Sequence, residues 1–210
     1  MKGKHVANKE ADILKAAENE FLAKGYAGAR TTSIARQAGV THAMLHYYFQ
    51  TKEQLFERVL DEKMRLMEQS VLAAFTDVGL PLPERLRSGI IRHFDFIAAN
   101  PDLPRFIINE VFAYPERSQV MCNRIRRITQ VMLSDFQQEL DELHRRGEVE
   151  SVDVRMLLLD IVSLNIFVFV AYPLVSQVFG EFQMDKEQFF EMRKAENVEI
   201  IMRRIKKNSL

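Results

Sequence analysis

The stretch Thr-Thr-Ser-Ile-Ala-Arg-Gln-Ala-Gly-Val-Thr-His-Ala-Met-Leu-His-Tyr-Tyr-Phe, residues 31–49, constrains this chain more than any other feature. Apolar residues recur at helical spacing on both sides of Ala38-Gly39-Val40, a pattern that predicts two short helices joined by a tight turn. Thr31 or Thr32 is placed to cap the first helix, Ile34 and Ala38 to face inward, and Ala35 is small where the second helix crosses. Gly39 permits the turn, Val40 fills the space between the helices, Thr41 caps the second helix, and Leu45 with Tyr48 anchors it. Thr41, His42, Ala43, Met44, His46 and Tyr47 are left facing outward.

Around this motif the chain reads as helix throughout. Asn8 is a candidate N-cap for a first helix carrying Ile13, Leu14, Ala17 and Phe21 on one face, and Gly25 stops it with Tyr26 packing back. A long helical pattern runs from Thr51 to Phe75, with Thr51 and Gln54 at capping-box spacing. After the two-proline break at residues 79–84, helices are expected at 84–99, 103–113, 116–145, 152–178 and 185–206. Asn100-Pro101, Pro115, Gly147 and Gly180 punctuate them. The fold class is therefore all-α: an N-terminal three-helix domain with the helix-turn-helix over residues 1–55, and a larger helical domain over residues 56–210.

Net charge is zero, but residues 1–60 hold nine Lys or Arg against six Asp or Glu, leaving +3, and the remainder carries −3. That sign suits an N-terminal part that meets phosphate. A helix of the size of residues 41–48 fits the major groove. Thr41, His42 and Tyr47 can donate hydrogen bonds to phosphates or base edges, and Ala43 and Met44 can touch thymine methyls. Lys52 adds charge at a helix start, and Thr31 and Thr32 offer a second phosphate anchor. Lys2, Lys4 and His5 are expected to form a solvated tail rather than an arm reaching DNA.

Several function classes find no support. Cys122 is the only cysteine, so an internal disulfide or a cysteine-rich zinc site is impossible, which fits a reducing cytoplasm. There is no Gly-rich phosphate loop, His-Glu-x-x-His or nucleophile elbow, so no enzyme, cofactor or metal site is expected. The N-terminal residues lack the apolar core of a signal peptide. Residues 161–180 form a 20-residue run without formal charge, long enough for a membrane span. Ser163, Asn165, Pro173, Ser176 and Gln177 interrupt it, so the expectation is a helix buried in a core or dimer interface, with no membrane. A helical scaffold for a protein partner and a small-molecule carrier remain as rival readings of the same helices.

The segment from Gly25 to Phe56 resembles the DNA-binding signature of the TetR family of transcriptional regulators. Gly25-Tyr26, Thr31-Thr32, Ile34-Ala35, Ala38-Gly39-Val40, Tyr48-Phe49 and Lys52-Glu53 with Leu55 carry the likeness. The chain departs from the pattern at Ala43, where Gly is usual, at His46, where Tyr is frequent, and at Gln50, where a basic residue is common. The resemblance implies a cytoplasmic homodimer on a double-stranded palindromic operator, most simply a repressor released by a small apolar effector. It implies that helices 152–178 and 185–206 of two copies form a four-helix interface. It also implies an effector pocket, for which His93, Asn109, Glu110 and Asn165 are the candidate polar groups and Phe94, Phe106, Phe136 and Phe169 candidate walls.

Overall fold

A computed structural model describes residues 2–77, 79–178 and 185–207, with the side chains of all of these except 2–8, 70, 128 and 131. Gly180, expected to stop a helix, and the Lys2, Lys4 and His5 side chains lie outside the described residues. The helices are α1 (Lys2–Gly28), α2 (Thr31–Gln37), α3 (His42–Tyr48), α4 (Lys52–Met67), α5 (Ala73–Phe75), α6 (Leu82–Ala99), α7 (Leu103–Ile107), α8 (Pro115–Arg145), α9 (Val154–Val178) and α10 (Lys186–Ile205). Among the described residues, β pairing is limited to a single antiparallel bridge between Val149 and Lys206.

Three expectations need correction. The first helix begins at Lys2, so Asn8 lies inside it and is not its cap. Neither Thr31 nor Thr32 caps α2: the cap position falls one residue earlier, on Arg30, whose side chain makes no capping hydrogen bond. The pattern from Thr51 to Phe75 is not one regular helix, because a π-helical turn at Glu68–Leu72 separates α4 from α5, and a second such turn, Ile108–Phe112, follows α7. A π turn inserts one residue into the ladder, which shifts the apolar stripe around the helix and is invisible to a fixed period.

The chain divides into two compact units. The first comprises Met1–Leu66 together with Arg105–Pro115, a segment that lies beyond residue 55, where the sequence alone places the domain boundary. Its core is Ile13, Ala17 and Phe21 of α1, Ile34 and Ala35 of α2, Leu45 of α3, and Leu55 and Phe56 of α4, all buried. The Phe56 ring meets Phe21 edge-on at 5.3 Å and Tyr26 at 5.1 Å, while Phe106 comes within 5.6 Å on another side. Gly25 takes φ +67°, in the left-handed region that breaks a helix cheaply only at glycine, and this turn brings Tyr26 back over the core.

The second unit, Met67–Pro104 and Glu116–Leu210, packs α6 against α9 and α10. Its core repeats at three- and four-residue intervals: Leu82, Leu86 and Ile90 on α6; Met132, Phe136 and Leu140 on α8; Leu157 and Ile161 on α9; Val198, Ile201 and Ile205 on α10. One buried stripe per helix is what a layered helical domain requires. Asp185 opens α10 through a capping box, accepting from Gln188 N at 2.8 Å while Gln188 Oε1 accepts from Asp185 N at 3.3 Å.

Candidate nucleic-acid interface

Glu20 supports the interface from below. Its side chain is 2% exposed, yet its carboxylate accepts from Lys24 Nζ at 2.7 Å, Ser33 Oγ at 3.0 Å and Gln37 Nε2 at 2.8 Å, with Arg30 N at a longer 3.4 Å. Burial pushes this carboxyl up, but the hydrogen bonds outweigh burial and hold it below the usual carboxylate range. The effect is to fix α2 on α1 at both ends of the shorter helix.

The turn follows from the backbone. Ala38 N donates to Ile34 O at 2.9 Å, Gly39 N to Arg36 O at 3.2 Å and Val40 N to Ala35 O at 3.0 Å, with Gly39 at φ +63°. These bonds satisfy the last carbonyls of α2 and redirect the chain within three residues. Thr41 then caps α3 as expected, its Oγ1 accepting from Met44 N at 3.1 Å. Thr51 does the same for α4, accepting from Gln54 N at 3.1 Å.

Leu45 and Phe49 point into the core, so the opposite side of α3 is fixed by the 3.6-residue period. Thr41, His42, Ala43, Met44, His46 and Tyr47 are all exposed, together on that side. Tyr47 is 81% exposed, which removes the possibility that its ring merely covers the core. The ring and its hydroxyl are thus both presented to whatever meets this side of α3, an apolar body with a polar tip. The His42 and His46 rings stand edge to face with centroids 4.4 Å apart.

The residues beside α3 take more defined places than the sequence suggested. Thr31 Oγ1 lies 3.0 Å from His42 Nε2, linking α2 to the first turn of α3. Thr32 is exposed on the same helix. Lys52 is only half-exposed and lies over the Tyr26 ring at 4.5 Å, so its ammonium is shared between an aromatic face and solvent. Sequence reasoning missed Lys24, Arg30, Ser33 and Arg36, which with Gly28 and Thr32 line a cleft at the α1–α2 junction. The cationic residues were visible in the sequence, but their convergence depends on the chain reversal at residues 25–30.

The eight effector candidates are divided between the two units. Phe106, Asn109 and Glu110 belong to the first unit, with Phe106 against Phe56 and the Glu110 carboxylate against Gly25. Phe136 is part of the main core of the second unit. His93, Phe94, Asn165 and Phe169 do come together, between α6 and α9. Phe94 and Phe169 are 5.0 Å apart and Phe190 stacks on Phe169 at 4.5 Å. Asn165, fully buried, donates from Nδ2 to Ile90 O at 2.9 Å and to His93 Nδ1 at 3.2 Å, and its Oδ1 accepts from Asn197 Nδ2 at 3.0 Å. A ring nitrogen that accepts is unprotonated, so His93 is a neutral imidazole, in keeping with burial pushing it down to about 4.

On α9, only 28% of the most apolar stretch is buried within the chain. Phe167, Leu174 and Val178 are 68%, 65% and 64% exposed. Phe167, Val168, Ala171, Tyr172, Phe189 and Met192 line an open groove between α9 and α10, rimmed by Arg193 and Glu196.

Comparison with known proteins agrees with this geometry. Residues 13–59 match the family of bacterial regulatory proteins, tetR family. The chain is 27% identical over 146 residues to the HTH-type transcriptional regulator YdgC of Bacillus subtilis, covering 67% of this chain and 74% of that protein. It is 33% identical over 105 residues to the HTH-type transcriptional repressor SCO4008 of Streptomyces coelicolor, half of each chain. Its fold is shared with a bacterial regulatory protein in the tetR family from Rhodococcus RHA1, at TM-score 0.70 and 24% identity over 96% of this chain and 98% of that one.

Proposed function

We propose that the chain, whose residues 13–59 match the tetR family of bacterial regulatory proteins, is a regulator of that family and a homodimeric repressor acting on a palindromic operator. Regulators of this family bind DNA operators and are typically dimers. In the proposed complex each copy sets α3 in the major groove, the two helices about 34 Å apart, with Thr41, His42, Ala43, Met44, His46 and Tyr47 on the duplex. Thr31, Thr32 and Lys52 hold flanking phosphates, joined by Arg30 and Arg36.

The observation that carries this reading is the division of α3 between a buried Leu45 and an outward side on which Tyr47 is 81% exposed. That outward side offers hydroxyl, imidazole and apolar groups together on a helix of groove-fitting size. The apolar α9 surface supports the dimer: two such faces meeting would remove Phe167, Leu174 and Val178 from water, and burying an apolar side chain of this size stabilises by about 1.5–3 kcal/mol. Membrane insertion offers the same burial, but the Asn165 amide is bonded to Ile90, His93 and Asn197, which supports reading α9 as a central helix of a packed domain and favours a cytoplasmic regulator.

Effector release is the second part of the proposal. A small apolar molecule entering the second unit beside Phe94 and Phe169 would favour a dimer geometry that no longer matches the half-site spacing, because a ligand shifts an equilibrium only by its differential affinity for the two states. Selection of bound duplexes from a random pool with the full-length protein tests the DNA-binding reading. A two-fold symmetric consensus is expected, and recovery of no enriched sequence would overturn it. A thermal-shift screen of apolar compounds with the same protein tests the effector.

A further inference from the structure

His46 stands on the outward side of α3 with a ring that is already half committed. Its Nδ1 is 3.3 Å from the carbonyl oxygen of Gln50, and because a carbonyl only accepts, Nδ1 carries the hydrogen. The neutral ring then has its bare lone pair on Nε2. A phosphate oxygen is also only an acceptor, so a neutral His46 held in this tautomer meets phosphate with two lone pairs and no proton between them. Protonation at Nε2 supplies both the missing donor and a positive charge. The contact is therefore conditional on the charge of the ring.

We propose that His46 engages a backbone phosphate as its imidazolium, so that operator binding takes up a proton and tightens as the solution becomes more acidic through the histidine range. This rests on the DNA-binding reading above. The arrangement around the ring favours a switch at this residue over one at its neighbour. His42 Nε2 faces the Thr31 hydroxyl, which can donate or accept, so His42 is served in either protonation state. The titratable groups on α3 itself are His42, 4.4 Å away ring to ring, and Tyr47 and Tyr48. The packed neighbour α2 contributes Arg36, with Arg30 at its start, and the adjoining first turn of α4 contributes Lys52 and Glu53. Arriving phosphate places negative charge beside the ring and favours its charged form, so the proton is taken up on binding.

The test measures affinity of the full-length protein for a selected duplex by fluorescence anisotropy at about pH 6 and about pH 8 at constant ionic strength, across the histidine range. The wild type should bind about tenfold more tightly at the lower pH, the effect of one linked proton over about one pH unit. Calorimetry in buffers of different ionisation enthalpy should register proton uptake. His46→Gln, an exposed substitution, should lose the pH dependence; His46→Lys, charged throughout, should bind with equal strength at both pH values; and His42→Gln should keep the wild-type ratio whatever its own affinity. A wild-type affinity independent of pH, or a pH dependence that survives in His46→Gln, would overturn the inference while leaving the regulator reading intact. Failure to bind any selected duplex at either pH would overturn both.

Discussion

Gln37 Nε2 donates to the Glu20 carboxylate across 2.8 Å and so ties the last turn of α2 to α1. Because Ser33 and Lys24 converge on the same buried carboxylate, a single side chain sets the angle at which the helix before the turn leaves the core. The orientation of α3 depends on that angle.

Glu20→Ala should therefore destabilise the protein by about 2 kcal/mol in urea unfolding near neutral pH, since hydrogen bonds to a charged group contribute about 1.5–3 kcal/mol and Lys24 is too exposed to add much. The carboxyl is held below its ordinary range in the folded state, so its contribution is complete above that range and is lost as pH falls through it. The stability of the variant should accordingly fall less steeply than that of the wild type on acidification.

The buried His93 predicts a pH effect in the second unit. Its folded value near 4 lies below the ordinary 6.5, so the unfolded chain binds the proton more readily. The stabilisation is complete above the ordinary value and declines as pH falls from about 6.5 towards 4, by about 3 kcal/mol in all. Chemical denaturation at a series of pH values should show this slope, and His93→Gln, which can still accept from Asn165, should flatten it.

Phe167 is the third test. Replacing a ring that is 68% exposed on α9 should leave the monomer fold nearly unchanged, within about 0.5 kcal/mol. Phe167→Glu would place charge in the proposed interface, and sedimentation should show dimers for the wild type and monomers for the variant. Operator affinity should fall about a hundredfold or more, since two linked half-sites gain that much over one.

Much of this was legible in the sequence because each feature is local. Gly39, Thr41 and Leu45 follow one another within seven positions, and the demands of a turn, a cap and a buried face are met by neighbouring residues. The helices after residue 80 were equally readable, since a three- and four-residue apolar repeat needs no knowledge of what it packs against. What escaped depends on distance. Glu20 reads as an ordinary exposed charge until Ser33 and Gln37 are folded over it. Phe106, Asn109 and Glu110 were assigned to the effector domain by their place in the chain, whereas packing against Phe56 and Gly25 puts them with the first unit. The split at the π turns had no signature of its own.

The central claim is that the outward side of α3 reads DNA, and operator affinity of Tyr47→Ala tests it most directly. The side chain is 81% exposed and meets the Tyr48 ring at 5.4 Å, so its removal should leave stability within about 0.5 kcal/mol of wild type. Anisotropy titration of a selected duplex should show binding weakened by about tenfold or more, corresponding to about 1.4 kcal/mol. Unchanged affinity in a fully folded variant would contradict the account.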